Sequence, residues 1–545
     1  MFNRNGLLII IFFFSFSIFG YSQSRPSGII LEKNSKQAKL VIEGKPFLIL
    51  GGELGNSSAS SVEYLKPYWK HFKQMNLNTV IAPVYWELLE PEENIFDFSL
   101  VDSLVNEARQ NNLKLVLLWF GTWKNSMSCY APLWMKTNSK RFLRTADKSG
   151  NSQEIFSAFG KETLDADKKA FAMLMKHVRE TDAVKKTVIM VQVENETGML
   201  PNAREISSTA NTLYNSDIPK GLGDYLQKNK DNLVPELKMK WEQNGFKTND
   251  PWENIFGKGI TTEEIFQAWY YARFVNEVAA AGKKEYDLPM YVNAALPRPG
   301  KLPGDYPSAG PLPHLMDIWQ AGAPAIDILS PDFYNPDTQY WCDLYVRKQN
   351  PLFIPEMQFD KSVAAKVFLV IGHYKAIGFS PFSIESESDA SLPLSKSYDI
   401  LNQLSPIITS GKWKAMDGFF LDKNNKTYST IMGRYKLTVS HYNTLSWAAE
   451  GKDSVWAAAG GLIIQTGEND FFIAGNGFAV TFANNDSTQV ANIASSDEMK
   501  YINDVEIKGR RMNGDQDHQG RHIQFSTSEW GIQKVKLYNS PRLIE

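Results

Sequence analysis

The stretch TVIMVQVENETG at residues 187–198 begins as an apolar, β-branched run and ends on two carboxylates and an amide. Its first part is apolar on both faces, which is typical of a parallel strand covered by helices. Glu194, Asn195 and Glu196 stand where such a strand leaves the core. The stretch therefore predicts a buried strand whose carboxyl end meets solvent or a ligand.

Seven further apolar runs have the same character, and most are separated by helical patterns. They lie at residues 40–52, 78–91, 113–123, 288–296, 326–334, 351–357 and 376–384. Eight βα units within about 350 residues indicate an α/β fold of the (β/α)8 TIM-barrel type. A doubly wound open sheet is the alternative. That fold usually shows a Gly-rich phosphate loop early in the chain, and this sequence has none.

The chain divides by pattern into a barrel and a tail. We expect the catalytic barrel at residues 23–411, with a polar, helical insertion near 202–254 that either lines a substrate groove or only caps the barrel. Residues 412–545 alternate short β patterns with Gly, Asn and Asp turns, which predicts an all-β, sandwich-like accessory domain. This domain either binds sugar or braces the barrel, and bracing is the favoured interpretation.

The amino terminus predicts export. Residues 1–22 combine Arg4, an apolar run at 7–19 that is short for a membrane span, and the small residues Gly20 and Ser22. A secretory signal peptide, and hence a secreted or periplasmic protein, is favoured over an uncleaved anchor. The formal net charge of -2 gives no reason to expect nucleic acid or a membrane as partner after cleavage. The oligomeric state stays open.

Metal and thiol chemistry have little support in the sequence. The seven histidines include no His-x-His at a strand end, so we expect no metal and no cofactor. The two cysteines, Cys129 and Cys342, either pair in the oxidising compartment or stay free.

Two carboxylates stand at the predicted mouth of the barrel. Catalytic groups of such barrels lie at the carboxyl ends of strands, where Glu196 ends the fourth run and Glu356 the seventh. These strands lie on opposite sides of the barrel, and two facing carboxylates are what hydrolysis of a glycosidic bond needs. Glu194 shares a strand face with Glu196 but lies deeper. We therefore expect Glu194 to be structural, pairing with a cation of the barrel.

The order of motifs resembles one enzyme family. Asn195-Glu196-Thr197-Gly198, preceded by VQVE, resembles the fourth-strand signature of glycoside hydrolase family 35, the β-galactosidases of a large retaining clan. The segments GGELGNSS at 51–58, VYWELLEPEENIFDF at 84–98 and APLWMK at 131–136 resemble other parts of that barrel. The all-β tail resembles the extra domain of a bacterial branch of the family.

The resemblance implies a role for several side chains. Glu196 would be the acid/base, protonated at rest because Glu356, the nucleophile, is ionised nearby. Asn195 would bind the sugar 2-hydroxyl, and Tyr334 would hydrogen-bond Glu356 and hold it as an anion. Asn293 is a candidate for the same mouth. The candidate sugar platforms, for each of which core packing is an equal alternative, are Trp86, Trp123 and Trp341.

Two departures from the family pattern concern sugar recognition. Many members have an Ala-Glu pair at the end of strand three, where this chain has Gly121-Thr122-Trp123. The usual His-Glu-Pro of the second strand is Leu89-Glu90-Pro91. Hydrolysis is therefore better supported than galactose as the glycone. The side chains that we expect to supply the missing contacts are Glu53, Asn56 or Glu87.

The sequence as a whole predicts an exported, retaining exo-β-galactosidase that acts on terminal β-galactosides of plant-type poly- or oligosaccharides. A retaining exo-glycosidase of the same clan with another glycone, a β-glucosaminidase or arabinosidase, is the first alternative. A non-catalytic carbohydrate-binding barrel is the second.

Overall fold

The computed structural model describes residues 27–33, 37–386, 391–448, 455–502, 505–512, 514 and 519–543. The predicted signal peptide, residues 1–22, lies outside these ranges. In the described ranges, no helix combines the length and the apolar character that a membrane crossing requires.

Strands and helices alternate up to residue 410, and strands follow. The strands are β1 (Ile29–Glu32), β2 (Lys39–Ile42), β3 (Lys45–Phe47), β4 (Ile49–Glu53), β5 (Thr79–Tyr85), β6 (Lys114–Lys124), β7 (Arg144–Ala146), β8 (Ser152–Phe156), β9 (Val188–Asn195), β10 (Met290–Ala295), β11 (Ile328–Phe333), β12 (Phe353–Met357), β13 (Gly378–Pro381), β14 (Ala415–Leu421), β15 (Thr427–Met432), β16 (Tyr435–His441), β17 (Ala459–Gln465), β18 (Asp470–Asn484), β19 (Gln489–Ile502), β20 (Val505–Arg511) and β21 (His522–Pro541).

The helices are α1 (Val62–Leu65), α2 (Tyr68–Gln74), α3 (Trp86–Leu89), α4 (Ser99–Gln110), α5 (Leu133–Lys136), α6 (Lys161–Asp182), α7 (Ser208–Tyr214), α8 (Lys220–Lys228), α9 (Pro235–Gln243), α10 (Trp252–Phe256), α11 (Ile260–Glu285), α12 (Met316–Gly322), α13 (Thr338–Tyr345), α14 (Val363–Gly372) and α15 (Ser391–Ser410). Short 3-10 helices cover Ser58–Ser60, Lys230–Asn232, Pro313–Leu315, Arg347–Gln349 and Tyr442–Thr444.

Eight parallel strands close into a barrel. In barrel order they are β4, β5, β6, β9, β10, β11, β12 and β13, and β13 returns to pair with β4 through Gly378 and Ile49. Every residue of β4, β5, β9, β11, β12 and β13 is buried, because helices cover the outer face and side chains fill the interior. The predicted (β/α)8 barrel is therefore confirmed.

The first apolar run divides into two parts. A turn with positive φ at Glu43 and Gly44 ends β2, and β1, β2 and β3 form a small antiparallel sheet of their own. The first barrel strand, β4, starts only at Ile49. Helices α7 to α10 follow β9 and occupy the place of the predicted insertion, where the Tyr225 hydroxyl donates to Asp317 on α12 at 2.8 Å.

The chain after α15 forms one antiparallel sheet with its own core. Its main order is β14, β17, β18, β21, β19, β20, and β16 joins β15 to the far half of β18. The pairing of β18 changes partner from β17 to β16 around Gly477, whose φ is +79°. Side chains such as Phe419, Leu437 and Phe478 fill the space enclosed. The predicted all-β domain is confirmed.

The barrel and the β domain meet through α14, the helix that follows β12. All ten residues of α14 are buried. A Cβ placed on Gly418 of β14 would lie 1.9 Å from the Phe368 carbonyl oxygen, and one on Gly460 of β17 would lie 2.5 Å from the Ala365 carbonyl oxygen. The β sheet therefore packs directly on the backbone of α14, which is the arrangement that bracing of the barrel requires.

The cysteines are not paired. Cys129 is exposed and Cys342 is buried, and both are free thiols.

Candidate active site

Glu196 and Glu356 meet in the mouth of the barrel. Glu356 lies on β12 and Glu196 directly follows β9, and they are 5% and 6% exposed, respectively. The Tyr334 hydroxyl, just beyond β11, donates a hydrogen bond to Oε1 of Glu356. Burial and, after it, the charge of Glu196 raise the pKa of Glu356, so the two carboxyls interact. The structure thus brings together the two carboxyls and the tyrosine singled out in the sequence.

Two further carboxyls lie in the same mouth. Glu53 ends β4 and its side chain hydrogen-bonds Glu356, and Asp332 on β11 is the register partner of Glu356. Both are 1% exposed. Lys124, at the end of β6, interacts with all of these carboxyls. Four buried acids therefore interact with one ammonium group.

This charge balance sets the protonation of the site. Burial raises the pKa of Glu53, Glu196, Asp332 and Glu356, because a buried carboxylate loses its hydration. For Glu356, burial and the charge of Glu196 raise the pKa to about 7, against the lowering effects of Lys124, Tyr334 and Glu53. The acids cannot all be ionised near neutral pH, so protons are shared among them.

The backbone of Glu196 is held in a strained conformation. Its φ is +42°, in the left-handed region. The Glu196 N–H donates to Oδ1 of Asn293 at 2.8 Å, and Nδ2 of Asn293 donates to Oδ2 of Asp332 at 2.5 Å. Asn293 therefore lines the mouth, and its amide positions Glu196. Its contact with substrate stays a prediction.

Asn195 is different, because its amide is not used. Both side-chain polar atoms are buried, and neither has a hydrogen-bond partner in the part of the chain that the structure describes. An unsatisfied buried amide costs free energy unless a ligand satisfies it. This is the arrangement expected of a side chain that binds a sugar hydroxyl.

The third barrel strand carries a large bulge beside Asn195. Trp119 pairs with Val193, and the next paired residue of β6 is Lys124, opposite Asn195. The intervening residues 120–123 include the Gly121-Thr122-Trp123 segment that stands at the family's Ala-Glu position. The bulge places these residues out of register, so that Lys124 occupies the end of the strand.

A pair of buried carboxyls supports the bulge. Asp167 of α6 accepts from Trp119 Nε1 at 2.8 Å and from the Thr122 N–H at 3.2 Å, and Glu194 accepts from the Trp123 N–H at 2.7 Å. The two carboxyls also hydrogen-bond each other, and burial raises the pKa of both. A structural role for Glu194 agrees with this geometry. The predicted partner is wrong, because it is the carboxyl of Asp167 and not a cation.

The tryptophan platforms are mostly core residues. Trp86 and Trp123 are fully buried, and their N–H groups donate to Glu90 at 2.8 Å and to the Phe156 carbonyl at 3.0 Å. Neither ring presents a face to a ligand, which corrects both assignments. Trp341 lies on α13, half-buried, with its ring edge-on to Tyr340 at 5.3 Å.

The remaining candidates lie around the mouth. Asn56 follows β4, half-buried, and its Oδ1 has no partner within the described ranges. Glu87 is half-buried on α3 and lies 3.8 Å from the Lys136 ammonium. Glu90 of the Glu-Pro pair accepts from the Asn94 N–H at 2.8 Å and from Trp86, so it fixes a loop.

Sequence reasoning missed three residues of this site. Asp332 shares a strand face with Tyr334, two positions away, so alternation could have found it. Lys124 follows Trp123 directly, but its place depends on the size of the bulge. Asp167 lies inside a helix, with no local signal of its contact with Glu194. Among the described residues, no group of three or more His, Cys, Asp or Glu side chains is arranged to hold a metal ion.

Two family models match the chain. Residues 39–263 match Glycosyl hydrolases family 35, and residues 394–524 match a domain of unknown function, DUF5597. A β-galactosidase from Xanthomonas manihotis is 29% identical over 173 residues, which are 29% of this chain and 25% of that protein. The chain thus spans about a quarter of the length of this relative.

Several solved structures are more distantly similar. The β-galactosidase from Marinomonas ef1 is 13% identical, with 66% of this chain and 60% of that chain covered and a TM-score of 0.45. The β-galactosidase from Bacillus circulans sp. alkalophilus is 14% identical, with 68% and 58% covered and a TM-score of 0.46. A β-amylase catalytic domain from Paenibacillus polymyxa is 13% identical, with 64% and 97% covered and a TM-score of 0.43. At this distance none of them bears on the chemistry of the mouth.

The family resemblance of the strand-four motif is confirmed by the match that contains it. Residues 39–263, which contain this motif, are similar to glycosyl hydrolases family 35.

Proposed function

We propose that the chain is a retaining exo-β-galactosidase in which Glu356 is the nucleophile and Glu196 is the acid/base. One observation carries the proposal: two buried, interacting carboxyls come from the ends of β9 and β12, and Tyr334 donates to one of them. Retention needs such a pair about 5–5.5 Å apart, so that one carboxylate reaches the anomeric carbon.

In the first step, Glu356 attacks the anomeric carbon as the bond to the leaving oxygen breaks. Glu196 gives its proton to that oxygen, and the aglycone leaves as an alcohol. The resulting ester removes the negative charge of Glu356. Because the charges of the two carboxyls act on each other, loss of the charge on Glu356 lowers the pKa of Glu196, which burial otherwise raises.

In the second step, ionised Glu196 takes a proton from water while the water oxygen attacks the anomeric carbon. The ester bond breaks, Glu356 leaves as a carboxylate, and the sugar leaves with its β configuration retained. Microscopic reversibility gives Glu196 both roles. The hydrogen bonds from Tyr334 and Glu53 favour the ionised form of Glu356 at the start and at the end of the cycle.

The substrate side of the proposal rests on Asn195 and on the amino-terminal sequence. The unsatisfied amide of Asn195 suits the sugar 2-hydroxyl, a contact that strengthens at the transition state. The apolar run at 7–19 and its small flanking residues support export, where the substrates available are polymers and their fragments. We therefore propose terminal β-galactosides of plant-type polysaccharides or oligosaccharides as substrates.

A panel of aryl β-glycosides tests this function. The wild type and the surface control Glu92→Gln should cleave the galactoside, and Glu356→Gln should lose at least about 1,000-fold in kcat. Proton NMR of the reaction should show the β anomer of galactose first. Cleavage of only the glucosaminide or arabinoside would favour the other glycones. Sugar binding by the wild type without cleavage would favour a non-catalytic barrel.

The acid/base role has a separate test. Glu196→Ala should still cleave substrates whose leaving group needs no proton, and added azide should accelerate that reaction and yield the β-galactosyl azide. The same addition to Glu356→Gly should yield the α-galactosyl azide, because azide then replaces the nucleophile. Equal azide effects in the two variants would contradict the assignment of roles.

A further inference from the structure

The end of the third barrel strand carries an ammonium group at the position where the family resemblance leads one to expect a sugar-binding carboxylate. Lys124 becomes the register partner of Asn195 only because residues 120–123 of β6 have no register partner on β9. The backbone beyond it is fixed as well. The Asn125 N–H donates to the Asn195 carbonyl at 3.1 Å, and the Ser126 N–H donates to the Glu196 carbonyl at 3.3 Å.

Lys124 lies in a well-defined backbone conformation, unlike a flexible lysine on the surface. Asn125 and Ser126 adopt positive φ values of +49° and +71°. Non-glycine residues hold such conformations only where the surrounding contacts compensate their cost. Lys124 itself is 9% exposed, and its ammonium lies 5.4 Å from the centre of the Phe120 ring. The aliphatic part of the Lys124 side chain is therefore packed, and its ammonium group is held in a defined position.

The ammonium has donors to spare. It donates to Oδ1 of Asn125, and in the described ranges no carboxylate lies within the 4.0 Å of an ion pair. An ammonium carries three N–H donors, so two are available for a ligand. It interacts at longer range with the four acids of the mouth, Glu53, Glu196, Asp332 and Glu356.

The same charges select the chemistry of the ligand. The mouth holds four acids and one ammonium, so it disfavours a ligand that brings a further negative charge. A sugar with a carboxylate, such as a uronic acid, therefore fits poorly. A neutral hydroxyl oxygen accepts a hydrogen bond from the ammonium without adding charge. If Asn195 binds the 2-hydroxyl, its register partner Lys124 faces the next hydroxyl on the ring, which is the 3-hydroxyl.

We propose that Lys124 is a glycone-binding residue that donates a hydrogen bond to the 3-hydroxyl of a neutral sugar beside Asn195. This inference rests on the proposed glycosidase function and deepens it. It also accounts for the missing carboxylate of strand three, since Lys124 takes over a hydroxyl contact with a donor where the family has an acceptor.

A cycle of enzyme and substrate changes tests the contact. The substrates are an aryl β-galactoside and its 2-, 3-, 4- and 6-deoxy analogues, and the enzymes are the wild type, Lys124→Met and the surface control Lys140→Met. Removing the 3-hydroxyl should lower kcat/KM of the wild type and of Lys140→Met by about 10- to 100-fold. In Lys124→Met that penalty should fall to within about threefold, while the other deoxy penalties stay unchanged.

The possible results distinguish a failure of the proposed Lys124 contact from a failure of the proposed glycosidase function. A full 3-deoxy penalty in Lys124→Met, or a reduced penalty at another hydroxyl, overturns the inference while the loss of activity in Glu356→Gln still supports the function. Full activity of Glu356→Gln would instead overturn the function itself. If Lys124→Met does not fold, Lys124→Gln replaces it. The same cycle can then be measured without turnover, as the binding of galactose and of 3-deoxygalactose. The two proteins compared are Glu356→Gln and the double variant Glu356→Gln/Lys124→Gln.

Discussion

The Tyr334 hydroxyl donates its hydrogen bond to Oε1 of Glu356, from the end of β11 to the end of β12. The hydroxyl is a donor at neutral pH, because burial and the charge of Glu356 raise the pKa of Tyr334. The hydrogen bond in turn lowers the pKa of Glu356 and so favours its ionised form. One contact therefore couples a buried tyrosine to the charge state of the proposed nucleophile.

Removing this hydroxyl should weaken the nucleophile. Without the donor, the pKa of Glu356 rises, so Tyr334→Phe should move the acid limb of the pH profile of kcat/KM to higher pH. A hydrogen bond to a charged group is worth about 1.5–3 kcal/mol, so kcat/KM at neutral pH should fall by about 10- to 100-fold. Tyr340→Phe, on the exposed side of α13, is the matched control. An unchanged acid limb in Tyr334→Phe would contradict the assigned role.

The carboxyl pair of Glu194 and Asp167 should make stability depend on pH. The folded-state pKa of Glu194 is raised by burial and by Asp167, so the folded protein holds a proton that the unfolded chain releases above its ordinary pKa. Folding stability from this group is therefore lost as pH rises. Glu194→Gln keeps the acceptor for the Trp123 N–H and removes the titration.

The measurement is the free energy of unfolding between pH 5 and pH 8, compared among three proteins. As pH rises, the free energy of unfolding of Glu194→Gln should increase relative to that of the wild type. Exposed Glu180→Gln should follow the wild type throughout. A pH-independent difference for Glu194→Gln would show that the pair holds no shared proton.

The strand-three bulge should be sensitive to one methyl group at Gly121. A Cβ there would lie 2.3 Å from Trp119 Nε1 and 2.7 Å from Glu194 Oε1, so Gly121→Ala must displace the supports of the bulge. Overpacking of this kind costs about 1–3 kcal/mol of unfolding free energy. Gly221→Ala, on α8 with nothing within 4 Å, should be neutral or stabilising by up to about 1 kcal/mol. Equal stabilities of the two variants would argue against a rigid bulge.

The contact between the β domain and α14 should support the barrel. Gly418→Ala places a Cβ 1.9 Å from the Phe368 carbonyl oxygen, which cannot move without moving α14. We expect a loss of at least about 2 kcal/mol in unfolding free energy and a faster thermal inactivation of hydrolysis. If stability fell but the inactivation rate did not change, the β domain would unfold independently of the active site.

Much of this arrangement follows from sequence pattern alone. The run before Glu194 has the length and two-sided apolarity of a central parallel strand, and a carboxyl end in such a barrel is where chemistry lies. Glu196 and Glu356 could therefore be placed from the order of strands and the alternation of side chains. The contact of Tyr334 with Glu356 was implied by the family resemblance.

The rest depends on contacts that no local pattern contains. The bulge of β6 changes which residue ends the strand, and its size is set by Asp167 and Glu194, which are distant in sequence. Tryptophan composition does not distinguish a stacked sugar from a packed core, and Trp86 and Trp123 proved to be core. Asn293 was expected to line the mouth, but its hydrogen bonds to Glu196 and Asp332 could not be predicted from the sequence.

The proposed mechanism requires that Glu356 forms a covalent bond to the sugar. The most direct test is to incubate the protein with 2-deoxy-2-fluoro-β-galactosyl fluoride, a substrate whose glycosyl-enzyme hydrolyses slowly, and to map the adduct by peptide mass spectrometry. We expect one fluorogalactosyl group, attached to Glu356. An adduct on another residue, or none under conditions in which the wild type cleaves galactosides, would contradict it.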